Sequence, residues 1–161
     1  MNYIIREIRK NEIHILEDFL YEAIFIPDWY TEEVPKDIIY TNPKLYAAIQ
    51  GFGTHPDDYC LVAEVDERIV GAVWVGIADE YGHMDDETPS FSISLYKEFR
   101  GKGIGTALME RMLSLLKEKG YKKASLGVNK ENYAVRMYQK VGFEIVGDGA
   151  DETEWLMVVW L

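Results

Sequence analysis

Residues 95–106 read Leu95-Tyr96-Lys97-Glu98-Phe99-Arg100-Gly101-Lys102-Gly103-Ile104-Gly105-Thr106, and the fold turns on them. A hydrophobic strand runs into a basic, glycine-rich turn, and an amphipathic helix follows at once. Gly101, Gly103 and Gly105 leave backbone N–H groups uncovered by side chains, so those groups can lie against a bulky polyanion. The helix adds the positive end of its dipole and its unpaired first-turn donors. Arg100 and Lys102 set two full positive charges beside that concavity. Read from its residues, the stretch is a diphosphate cradle. A P-loop would need Gly-Lys-Ser/Thr at its end, whereas Lys102 stands before Gly103 and Gly105. A dinucleotide fingerprint needs Gly-x-Gly-x-x-Gly, and these glycines are evenly spaced.

The residues that follow carry a second pattern. Ile104, Leu108, Met112 and Leu115 mark one helical face, with Lys117 and Lys119 in the last turn before Gly120. Ala124 to Val128 reads as a buried strand. Asn129 and Asn132 lead into a short helix whose apolar side is Ala134, Met137, Tyr138 and Val141. Lys140 and Gly142 end it, and Phe143 to Val146 starts another strand. Arg100-x-x-Gly103-x-Gly105 resembles the coenzyme A pyrophosphate loop of the GNAT N-acetyltransferase superfamily. Asn132-x-Ala134-x-x-x-Tyr138-x-x-x-Gly142-Phe143 resembles that family's later motif, in the right order and spacing.

With 161 residues the chain suits one domain, residues 1–161, with a substantial core. Its 28 acidic and 17 basic residues give a formal charge of −11, which disfavours nucleic acid or an anionic membrane and attracts cationic ligands. The same charge serves solubility equally well. The basic loop around Arg100 is a local exception, as an anionic cofactor requires. Cys60, the single cysteine, falls in the apolar run Tyr59 to Val65 and reads as a buried strand thiol in a reducing compartment. No signal-peptide pattern opens the chain, and no apolar stretch reaches the roughly 20 residues of a bilayer span, so a cytoplasmic protein is expected.

In the front half, Tyr3 to Ile8 reads as a strand, and Asn11 can cap a helix from about Glu12 to Phe25. A short helix fits Pro43 to Gln50. Tyr59 to Val65 and Ile69 to Ile77 form a hairpin around Asp66-Glu67-Arg68. Asp79 to Pro89 is acidic and polar and reads as a loop, followed by a strand from Ser90 to Tyr96. Glu154 to Trp160 closes the sheet. This order is similar to the GNAT family's α/β fold along nearly the whole chain. The resemblance implies a central twisted, mostly antiparallel mixed sheet with helices on both faces. It also implies that the strands at Phe91–Tyr96 and Ala124–Val128 splay to admit the pantetheine arm.

The implied activity is direct transfer of an acetyl group from acetyl-CoA to a primary amine. The backbone from Arg100 through Gly101, Lys102, Gly103, Ile104 and Gly105 to Thr106 would hold the pyrophosphate, and Asn132 the coenzyme arm. A backbone N–H near Leu95, freed by a bulge in the family, would polarise the thioester carbonyl. Tyr138 matches the family's general acid and stays protonated at neutral pH; an aromatic on an amphipathic helix usually packs in the core, and it is the residue's position within the motif that favours catalysis. Asn129 fits a turn asparagine more simply than a ligand. The amine's proton needs a base or a water chain; the acidic candidates are Glu32, Glu33, Asp85, Asp86 and Glu87, each more simply a solvated loop carboxylate, and Glu87 is best placed. Trp29, Tyr30, Tyr40 and Phe52, with Glu32 and Glu33, could line a pocket for a cation or close the core instead. His83 beside Asp85, Asp86 and Glu87 lacks metal-ligand spacing, His14 and His55 read as surface residues, and no metal is expected. The acceptor stays open among polyamine-like amines, amino sugars and peptide N-termini. An inactive acyl-CoA-sensing module is the alternative, and homodimers, common in the family, are left undecided by the residues.

Overall fold

The computed structural model describes residues 2–161. Its sheet contains β1 (Ile4–Glu7), β2 (Tyr59–Val65), β3 (Arg68–Gly76), β4 (Ser90–Leu95), β5 (Lys123–Asn129), β6 (Glu144–Asp148) and β7 (Glu154–Trp160). The strands lie in the order β1-β2-β3-β4-β5-β7-β6, and only the β4–β5 contact is parallel. The helices are α1 (Leu16–Glu22), α2 (Ile38–Thr41), α3 (Pro43–Tyr46), α4 (Ile104–Glu118) and α5 (Ala134–Lys140). Among the described residues no helix is long and apolar enough to cross a membrane.

The central strands are apolar throughout because both faces are covered. Leu61, Ala63, Val73 and Val75 point to one side, where Ile104, Leu108 and Met112 of α4 meet them. The alternate residues Cys60, Val62, Ala72 and Trp74 point to the other, against Leu16, Phe19 and Leu20 of α1. Cys60 is buried as its strand position requires, and burial pushes its thiol pKa up. The β2–β3 hairpin turns through Asp66 and Glu67, both with positive φ (48° and 65°), as a tight two-residue turn demands.

The first helix departs from its expected form. Lys10–Ile15 is a 3-10 segment and the α-helix begins only at Leu16. Asn11 therefore lies inside that segment rather than capping it. Entry is held by Glu12, whose carboxylate accepts from the Arg9 N–H at 2.8 Å and pairs with Arg6 of β1 at 2.8 Å. The helix expected from Pro43 to Gln50 is shorter, Pro43–Tyr46 as α3, and an unexpected turn of helix, α2, precedes it; Asn42 between them caps α3, its side chain accepting from the N–H groups of Lys44 and Leu45 at 3.0 and 3.3 Å.

β4 and β5 pair only at Ser90 and Ser125, then diverge toward their C-terminal ends, giving the expected splay. The expected bulge near Leu95 is not there: β4 follows β3 in unbroken register from Ser90 to Leu95, and the shift in this part of the sheet lies between Ala63 and Glu64. The free donors arise from the splay instead. Tyr96 N–H bonds to the Val70 carbonyl on the β3 side at 3.0 Å. Strand alternation then turns the N–H groups of Ile93 and Leu95 the other way, into the gap.

Candidate functional site

The glycine loop stands at the open end of this gap. Gly103 precedes α4 with φ of 86°, and Gly101 has φ of 72°. A Cβ on either would meet nothing within 4 Å, so the concave face of the turn is open. Ile104 is fully buried and anchors the first helical turn, while Gly105 packs against Leu95, where a Cβ would stand 3.3 Å from Cδ1. Lys102 is exposed and Thr106 half-buried. Arg100 folds back over the strand end: its Nε donates to the Leu95 carbonyl at 2.9 Å, and a terminal nitrogen lies 3.3 Å from a Glu22 carboxylate oxygen. The guanidinium thus ties β4 to the end of α1 while leaving its charge beside the loop.

A groove of about 730 Å³ leads inward from Arg100 and Gly105 along Leu95, Ala134 and Met137 to Tyr138. A second cavity, of about 360 Å³, lies beyond it between β4, β5 and the start of β7. Ile93, Asn132 and Tyr138 line both, under a roof of Ala23, Ile24 and Phe25. Asn132 Oδ1 accepts from the Ala134 N–H at 2.9 Å at the start of α5, which orients its amide group. Asn129 makes the corresponding turn contact to the Glu131 N–H at 2.9 Å, as a turn asparagine should. Tyr138 is 9% exposed, packed edge-on against Phe143, and burial pushes its phenol pKa up to about 12.

The smaller cavity contains a carboxylate that the sequence reading passed over. Glu80 is 8% exposed and lines its wall. Its Oε1 accepts from the Ser90 hydroxyl and from the Gly82 N–H, the latter at 3.2 Å. Burial, the largest influence, outweighs these bonds and pushes its pKa up to about 7. Glu80 reaches this place because residues 79–89 lie across the closed end of the splay rather than over solvent. Ser125 Oγ donates to the Gly82 carbonyl at 2.7 Å, and Ser125 N–H to that of Pro89 at 3.0 Å. Gly82 and Gly127 permit the approach: a Cβ on Gly127 would stand 2.7 Å from the Tyr81 carbonyl oxygen, and one on Gly82 would stand 2.6 Å from the Gly127 nitrogen.

The other acidic and aromatic candidates lie elsewhere. Glu87 is exposed, with its N–H tied to Asp85 Oδ1 at 2.9 Å, and it lines neither space. It sits on the outward side of the segment that carries Glu80 inward. Glu32 and Glu33 are exposed and line neither cavity. Trp29 is 70% exposed, its indole N–H directed at Glu131, and Tyr30 lines the larger groove rather than the smaller cavity. The loop after α1 therefore borders the groove. Local patterning gave no sign of Glu80. The paired glycines at 82 and 127 were the available signal, but they become legible only when the two segments are known to touch.

Comparison with known proteins agrees with this architecture. The Acetyltransferase (GNAT) family pattern matches residues 20–143. An acetyltransferase of Pectobacterium atrosepticum is 37% identical over 93 residues, covering 57% of this chain and 62% of that protein. Human N-acetyltransferase 8B is 32% identical over 87 residues, covering 53% of this chain and 38% of that protein. The matched stretch thus covers less than two thirds of either relative. Among solved structures, the PaiA N-acetyltransferase of Thermoplasma acidophilum in complex with coenzyme A superposes with a TM-score of 0.72 at 21% identity over 100% of both chains. A GNAT-family acetyltransferase of Streptococcus pneumoniae gives 0.69 at 18% identity, over 99% of this chain and 100% of that one. With the glycine loop, the splayed strands and the family pattern all falling on the same residues, the chain belongs to the GNAT acetyltransferase family.

Proposed function

We propose that the chain is an acetyl-CoA-dependent N-acetyltransferase that moves the acetyl group directly to a primary amine held in the smaller cavity. The observation that carries this reading is the meeting of two cavities on Ile93, Asn132 and Tyr138. One space leads out to a diphosphate cradle, and the other ends on a buried carboxylate. The cradle fits its expected ligand, because the faces of Gly101 and Gly103 are open and the first-turn donors of α4 follow them. Acetyl-CoA supplies an activated acyl group as a thioester.

The chain's own residues then divide the work. N–H groups from Arg100 to Thr106 hold the pyrophosphate, and the Asn132 amide nitrogen donates to the coenzyme arm. The Ile93 and Leu95 N–H groups face the gap and polarise the thioester carbonyl. Glu80 takes the proton from the incoming ammonium. Desolvation raises the carboxylate's pKa and lowers that of an ammonium in the same cavity, so the two approach one another. Tyr138, held protonated by burial, donates to the departing sulfur. Per turnover, one proton ends on the thiol and one leaves to solvent through Glu80.

The acceptor is a small, cationic amine or a peptide terminus, and the site belongs to a single cytoplasmic domain. Thiol release from acetyl-CoA across polyamines, aminoglycosides, amino acids, arylamines and short peptides tests this. Turnover that falls in Tyr138→Phe with coenzyme affinity kept supports the enzyme. Coenzyme binding without turnover of any amine replaces it with an acyl-CoA-sensing module.

A further inference from the structure

A chain of hydrogen bonds on the wall of the smaller cavity runs in one fixed direction. Asn42 and Tyr81, both half-buried, line that cavity, and neither takes part in the proton transfers described above. The Asn42 side chain accepts from the backbone N–H groups of Lys44 and Leu45 at the start of α3, at 3.0 and 3.3 Å. Backbone N–H groups only donate, so the amide oxygen must face them and the amide nitrogen must face away. That nitrogen donates to the Tyr81 hydroxyl oxygen at 2.9 Å. With its oxygen accepting from Asn42, the hydroxyl has to send its own proton elsewhere. Among the described residues nothing receives it, the Asn42 contact being the one hydrogen bond this hydroxyl makes.

The donor is held from both ends. The Tyr81 backbone lies against β5, its carbonyl oxygen 2.7 Å from where a Cβ on Gly127 would stand. Its hydroxyl is held by the residue that caps α3. Glu80 is the preceding residue and lines the same cavity, so the chain brings a carboxylate and a hydroxyl donor to one space. A ligand oxygen can take the hydroxyl proton. An apolar group set against it leaves the donor desolvated and unpaired.

We infer that Tyr81 is a specificity-determining residue whose hydroxyl donates to an oxygen of the acceptor, so that the acceptor carries a hydrogen-bond-accepting oxygen as well as its reacting amine. This rests on the assignment of the smaller cavity as the acceptor site. Asn42 is a positioning residue in this scheme: it acts through Tyr81, by setting the direction in which the hydroxyl donates. A purely structural clamp between residues 79–89 and α3 would hold equally well with the hydrogen bond reversed, whereas recognition of an oxygen would not survive the reversal.

The experiment compares amines that differ by one amide group: glycinamide with isobutylamine, β-alaninamide with isopentylamine, and 4-aminobutanamide with 4-methylpentylamine. Binding to the coenzyme-A-loaded protein is measured by calorimetry, alongside turnover of each amine with acetyl-CoA. The expected result is a preference of about tenfold for the amide in at least one pair, in binding and in kcat/KM. Tyr81→Phe, which keeps the ring and removes the donor, should bring that ratio close to unity. Asn42→Asp should do the same with Tyr81 intact. It keeps an oxygen for the Lys44 and Leu45 N–H groups but turns the group facing Tyr81 into an acceptor, which draws the hydroxyl proton away from the cavity. Each pair is compared within one variant, so the added charge acts on both members alike. No preference in either readout of the unaltered protein overturns the inference and leaves the acetyltransferase reading standing. A preference that survives Tyr81→Phe overturns the role of Tyr81, and one that survives Asn42→Asp overturns the fixed direction. Preferential binding that both variants abolish, without turnover of any amine, keeps the inference and overturns the acetyltransferase reading.

Discussion

Replacing Glu80 by Gln should strengthen the fold while weakening the enzyme, and pH should control the first effect. The carboxyl pKa is raised from 4.5 to about 7, chiefly by burial. A group whose folded-state pKa lies above its unfolded value contributes stability in full below the unfolded pKa, and that contribution is lost as pH rises through the folded pKa. The window here runs from about 4.5 to about 7. Above it the fold carries an ionised, buried carboxylate at a cost of up to about 3 kcal/mol, taking 1.36 kcal/mol per unit. Glutamine keeps an Oε1 acceptor for the Ser90 hydroxyl and the Gly82 N–H, so neither donor is orphaned. The variant should therefore gain less than about 1 kcal/mol over the parent at pH 5 and about 3 kcal/mol at pH 8. In urea, with a slope near 2 kcal/mol/M, that is a midpoint shift of roughly 1.5 M at the higher pH. The acid limb of kcat/KM near pH 7 should vanish in the variant, with a fall of about a hundredfold or more at the plateau. A variant equally destabilised at both pH values would refute the reasoning, since Glu80 would then act as a structural hydrogen-bonding residue and not as a strained, titrating one.

Tyr138→Phe should lower kcat about a hundredfold and leave the coenzyme A Kd within about twofold, measured by thiol release and calorimetry. Gly127→Ala should displace Tyr81 and Gly82 from β5, lowering the urea midpoint and abolishing turnover while coenzyme A still binds, because its Cβ would meet the Tyr81 carbonyl at 2.7 Å on the acceptor side only. Arg100→Glu should raise the coenzyme A Kd by about tenfold or more. It should also lower Tm slightly, since the Leu95 carbonyl loses its donor and Glu22 gains a like-charged neighbour.

What the sequence disclosed and what it hid follow from how far apart the interacting residues lie. The glycine loop, α4, α5 and the β2–β3 hairpin were legible because periodicity, caps and turn residues act within a few positions, and Leu108, Met112 and Tyr138 are buried as their spacing requires. The splay of β4 from β5 was legible only through the family resemblance, because the strands' own patterns would have paired them. The opening helix was misjudged for a local reason that has a distant cause: Glu12 binds Arg6, which also binds Glu64 on β2 at 2.9 Å.

Glu80 was hidden by the same kind of non-locality, and its case explains why acidic loops mislead. Residues 79–89 have the composition of a solvated loop, and Asp79, Asp86 and Glu87 behave as one. Yet the segment crosses the closed end of the splay, where diverging strands leave backbone groups that need partners, and the Ser125 hydroxyl and N–H take carbonyls from it. Glycines at 82 and 127 bring the two backbones close enough for this, and the turn that results directs Glu80 inward while Asp79, Asp86 and Glu87 stay exposed. The proposed proton acceptor is thus placed by the same geometric fact that opens the coenzyme groove. Parting β4 from β5 frees the Ile93 and Leu95 donors at one end and requires a plug at the other, and the plug carries the carboxylate. Any substitution that lets β4 and β5 pair along their length should close the groove and eject Glu80 together.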